Sequence, residues 1–140
     1  MDWNECKDKF IKDVEIDPGK IDSLRETAES RLNFFKNITV NEDNVSFIIE
    51  GYYEIIKELL TALLLSNGLR SKNHQCLISY FYNNYPDYEA EVNLISQMSY
   101  LRNRLDYYGE LIEFNFYEKN KTEFEYIIKI LNKLIEDKND

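Results

Sequence analysis

Four glycines and two prolines are spread through 140 residues, so the chain has few places to turn. A sandwich or barrel of short strands needs a turn signal every ~8–12 residues. This sequence offers instead apolar residues recurring at three- and four-residue spacing, the mark of helices that bury one face. It predicts an all-α fold, an antiparallel bundle of about five to six helices. The length suits a single domain over residues 1–140 with one core.

A short first helix is expected over residues 2–13, with Trp3, Cys6 and Phe10 on one face. Asp17-Pro18 reads as a cap and first turn. The second helix follows to Lys36 and carries Ile21, Leu24, Ala28, Leu32 and Phe35 on its stripe. The third, over residues 43–66, is apolar on several sides and is expected at the centre. Asn67-Gly68 supplies its left-handed stop. Ser71 is the expected cap of a fourth helix that ends before Pro86. The fifth covers residues 87–108, with Asp87, Glu89 and Glu91 in early turns where the helix dipole favours them. An extended connector over residues 111–116 then leads to a last helix, with Asn115 and Glu118 spaced as a capping box.

Charge and cysteine usage narrow the function classes. A net charge of −9 opposes a whole-surface grip on nucleic acid, although a local basic site is compatible with it. No apolar run approaches a membrane span, and the N-terminus has no signal core. A cytoplasmic protein is expected, with no membrane partner. Cys6 and Cys76 lie far apart without metal-ligand spacing, and the chain has one histidine, so neither a metal site nor a cofactor is expected. The plain reading of both cysteines is as small hydrophobes in a reducing compartment.

Two polar segments are candidate sites. In the first, Arg102 and Asp106 are four apart on the fifth helix, as are Asn103 and Tyr107, and Arg104 and Tyr108. Arg102 flanks the buried seam, where its stem can cover apolar surface while the guanidinium reaches an anion. The alternative is a charged helix end with ordinary ion pairs. In the second, Arg70, Lys72 and His74 precede or open the fourth helix, where free backbone N–H groups favour an anion. The alternative there is a histidine packed beside Leu77 and Ile78. The Tyr80-Phe-Tyr-Asn-Asn-Tyr85 stretch has no basic neighbours and reads as packing. No phosphate loop, nucleophile elbow or zinc-protease motif is present, and no catalytic residue stands out.

The run Gly51-Tyr-Tyr-Glu-Ile-Ile-Lys-Glu-Leu-Leu-Thr-Ala-Leu-Leu-Leu65, then Asn73-His74 and Leu77-Ile78-Ser79-Tyr80-Phe81, then Leu101-Arg-Asn-Arg-Leu-Asp-Tyr-Tyr-Gly109, resembles the HEPN family, in particular its small archaeal members. The resemblance covers residues 43–109. It implies a helical bundle that dimerises, with the arginine segment near the cleft between subunits. Ribonuclease members carry an Arg, a polar residue and, after a short gap, a His. Arg102 and Asn103 match the first two positions, but Tyr107, preceded by Asp106, stands at the third. A phenol with a pKa of ~10 is a poor base at neutral pH.

The resemblance therefore implies a non-catalytic homodimer. Its segment Arg102, Asn103, Arg104, Asp106 and Tyr107 is expected to bind a nucleotide, an RNA or a partner nucleotidyltransferase. The alternatives are a metal-independent ribonuclease toxin of a toxin–antitoxin pair, and an interaction scaffold with no ligand.

Overall fold

A computed structural model describes residues 2–139. Its elements run α1 (Trp3–Lys9), β1 (Ile11–Asp13), α2 (Pro18–Lys36), α3 (Val45–Ser66), β2 (Leu69–Ser71), α4 (His74–Asn84), a 3-10 turn (Pro86–Tyr88), α5 (Glu89–Tyr108) and α6 (Phe114–Asn139). The fold is all-α apart from one two-stranded ribbon. No described helix is long and apolar enough to cross a membrane.

Helix α3 is the axis, and α2, α4, α5 and α6 all pack on it. Ile49, Ile55, Ile56, Leu59, Leu60 and Leu63 of α3 are fully enclosed, in one cluster with Ile21, Ile95, Met98, Phe124 and Leu131 from its neighbours. The rings of Phe35 and Tyr52 stack with centroids 6.0 Å apart, and Tyr52 meets Phe124 at 5.4 Å. These contacts tie α2 and α6 to the same side of α3.

Several helix ends lie where local chemistry puts them. Asp17 caps α2 by accepting from the Lys20 amide at 3.3 Å, with Pro18 at the first helical position. Gly68 after α3 and Gly109 after α5 have φ of 72° and 65°, a region that costs glycine least.

Other ends differ from expectation. The first helix stops at Lys9, because residues 11–13 pair antiparallel with residues 69–71 (Ile11 opposite Ser71, Asp13 opposite Leu69). Ser71 belongs to that ribbon and is not the cap of α4. Asn73 takes the role, accepting from the Gln75 amide at 2.8 Å. The Ser71 hydroxyl shapes the intervening turn by bonding the Asn73 N–H and carbonyl. Asp87 sits in the 3-10 turn, so α5 starts at Glu89. Asn115 lies inside α6, which begins at Phe114, so it caps nothing. The connector before it is pinned: the Ile112 amide donates to Ser46 Oγ at 2.8 Å, and both residues are buried.

The two cysteines are fully buried, as small hydrophobes would be, but they are not separate thiols. Cys6 of α1 and Cys76 of α4 form a disulfide across 70 positions of sequence.

Candidate functional site

The arginine segment at the end of α5 is divided between two faces of that helix. Arg102 and Asp106 turn toward α3. Arg102 Nη2 lies 3.4 Å from Glu54 Oε1, and Arg102 Nε lies 3.1 Å from Asp106 Oδ2. That second contact is an ion pair by distance only. Nε is buried and makes no hydrogen bond of acceptable geometry. The guanidinium also stands over the Tyr53 ring, 6.0 Å from its centroid. Tyr53 donates to Ser99 Oγ at 3.3 Å, and Gln75 donates to the same oxygen at 3.0 Å. This polar chain joins α3, α4 and α5 beneath the arginine.

Glu54 is shared: its other oxygen meets Lys57 Nζ at 2.9 Å. Glu50, one turn earlier on α3, faces Asp106. Its pKa is raised, first by loss of hydration, then by a hydrogen bond to Asp106 and the charges of Asp106 and Glu54; Arg102 opposes the shift. Glu50 thus keeps its proton more readily than a carboxyl free in water would. Glu50, Glu54 and Asp106 surround Arg102 and Lys57, so the cluster is balanced or slightly acidic.

Asn103, Arg104 and Tyr107 lie on the other faces of α5. Tyr107 is 77% exposed. The Arg104 guanidinium stacks on Tyr108 at 4.6 Å and pairs with Glu110. With Tyr100 and Leu111, also exposed, these residues form an aromatic outer stripe that no element among the described residues covers.

The second candidate segment is also divided. Arg70 is in β2, beside a small hollow shared with Asp17 and Lys20 at the start of α2, and Lys72 is solvated. His74 opens α4 with its side chain exposed, within electrostatic range of Lys57, Glu54 and Arg102. Its pKa is lowered, mainly by partial desolvation and next by the charge of Lys57, with Arg102 adding and Glu54 opposing. Its imidazole therefore favours the neutral form more than a free histidine does. The tyrosine-rich stretch packs, with Tyr80 edge-on to Trp3 and Phe81 stacked on Tyr88.

Sequence reasoning missed the α3 half of the cluster. Glu50, Glu54 and Lys57 fall at i, i+4 and i+7, a charged stripe on a helix that is mostly buried. That stripe is the signal that would have found them. Among the described residues, no three His, Cys, Asp or Glu side chains are grouped to hold a metal ion.

Compared with known protein families, curated proteins and solved structures, the chain matches none.

Proposed function

We propose that the chain is a non-catalytic HEPN-type binding module that pairs with a second copy of itself along the outer stripe of α5. The observation carrying this reading is the set of exposed aromatics on α5, Tyr100, Tyr107 and Tyr108, with Arg104 stacked among them. Tyrosine and arginine are enriched among the side chains that anchor protein interfaces: tyrosine buries a large ring with few rotors, and arginine presents a planar fork of donors. Arg102 and its carboxylates would then form the floor at the edge of the shared cleft. Mass measurement in solution tests the pairing: the wild type runs as a dimer and Tyr107→Glu as a folded monomer. A monomeric wild type at all concentrations would remove the reading.

A second reading has its own observation. The Arg102 Nε is a buried donor without a well-aligned acceptor, a costly state that an incoming phosphate oxygen would relieve. In this reading the cleft takes a nucleotide or an RNA end, with Arg102 exchanging Asp106 for phosphate. Binding lost in Arg102→Ala supports it. A partner nucleotidyltransferase co-purifying with the protein would place the α5 stripe on that subunit instead. For the ribonuclease alternative the imidazole would have to come from His74, which lies within electrostatic range of Arg102, because Tyr107 cannot supply one. Metal-independent RNA cleavage lost in both His74→Ala and Arg102→Ala would establish it.

A cytoplasmic location is retained as part of the proposal. The Cys6–Cys76 bridge bears on it, because such bridges persist in oxidising compartments and in intracellular proteins of hyperthermophiles.

A further inference from the structure

A concavity lies on α5, between α1, α4 and the first turns of α5, and it differs chemically from the Arg102 cluster. Its volume is about 380 Å³, within the range of small-molecule sites, and it is open to solvent along Tyr82, Asn83, Asn93 and Ser96. Trp3 and Tyr82 contribute aromatic walls. Ile78 and Val92 form the floor and are almost fully buried, at 6% and 4% exposure. Around the rim stand Asn83, Asn93 and Ser96, whose side chains make no hydrogen bond to the described residues.

Charge is the telling difference. Charged residues make up 31% of the chain, yet among the described residues Asp2 at the mouth is the one charged side chain lining this pocket. No lysine or arginine lines it, so a phosphate or carboxylate would meet a carboxylate and find no counter-charge. Flat apolar walls with a neutral hydrogen-bonding edge fit a ring that has an apolar face and a polar rim.

The pocket is also held in shape. The Trp3 ring is fixed edge-on against Tyr80, with centroids 5.4 Å apart, and the Cys6–Cys76 bridge ties α1 to α4 one turn from the tryptophan. A wall already in place spares a ligand the entropy of ordering it.

We infer that the cavity walled by Trp3 and Tyr82 and rimmed by Asn83, Asn93 and Ser96 is a binding site for a compact, uncharged ring compound. Two sources share that chemistry, a nucleoside and a neutral sugar. The site centres on Trp3 and Tyr82 and not on Arg102, touches the polar chain beneath that arginine only through Gln75, and does not require the pairing along α5.

The test is calorimetric titration of the full chain with adenosine, uridine, glucose and N-acetylglucosamine, each repeated with excess inorganic phosphate. Saturable binding of at least one probe is expected, with the emission of Trp3 shifting in step. Ser96→Leu, which fills the cavity, should abolish it. Asn93→Ala, an exposed change that spares the fold, should weaken it about tenfold by deleting one hydrogen-bonding edge. The probe that binds identifies the source. Absence of saturation for all four at millimolar concentration would overturn the assignment. So would binding indifferent to Asn93→Ala, or competition by phosphate, which would move the ligand to the arginine cleft.

Discussion

At Gly51 the absence of a side chain is a packing requirement. A β-carbon built there would collide with the Phe35 ring, which lies across α3 on its way to Tyr52. Alanine is the better helix former by about 1 kcal/mol, so an exposed Gly→Ala change in a helix stabilises. Here overpacking costs about 1–3 kcal/mol and wins. Gly51→Ala is expected to lower the melting temperature, and a rise in thermal denaturation would show that Phe35 can swing away. Glu50 gives a second residue-scale expectation. Its folded pKa lies above the ordinary 4.5, so its proton is held better in the folded chain than in the unfolded one. The stabilisation this brings is complete below 4.5 and is lost as pH rises through the folded value. Glu50→Gln should therefore stabilise the protein at pH 7–8 and do little or the reverse near pH 4, as read from melting curves at both pH values.

Among the elements, α1 and its ribbon depend most on a single bond. Helix α1 packs mainly on α4 and β1, and its bridge closes a 70-residue separation. Loop-closure entropy puts the value of such a bridge at about 4 kcal/mol, less any native-state strain. Reduction, or Cys6→Ser, should lower the melting temperature and raise amide exchange in residues 3–13 first. Exchange in α3 and α6 should change only as global stability falls. Two free thiols in the unreduced, denatured protein would contradict the bridge. The ribbon also explains why α1 is short. The local pattern of residues 2–13 is compatible with helix, but Val14 and Lys72 carry the pairing on to Gly68 and Phe10, through bonds of 2.9 and 3.0 Å.

For the molecule as a whole, the net charge of −9 opposes bringing two copies together. If the α5 stripe pairs them, the attraction is apolar and aromatic while the long-range term is repulsive. Raising salt from 0.1 to 1 M shrinks the Debye length from about 10 to about 3 Å. Dimerisation should therefore tighten with salt in sedimentation measurements, while phosphate binding at Arg102 should weaken over the same range. Opposite responses separate the two roles of α5 on one sample.

The helices and their order could be read from the sequence because helical spacing is local: residues three and four apart share a face whatever lies beyond. The caps at Asp17, Gly68 and Gly109 were legible for the same reason. The site was legible in part. Arg102 and Asp106 were paired correctly by spacing, but their joining with Glu50 and Glu54 spans 48 positions or more, and only packing of α5 on α3 decides it. Tertiary structure likewise turned Asn103, Arg104 and Tyr107 outward, parted His74 from Arg70, and brought Cys6 to Cys76. Periodicity determines which residues can share a face; the burial of α3 by its neighbours determines which faces meet.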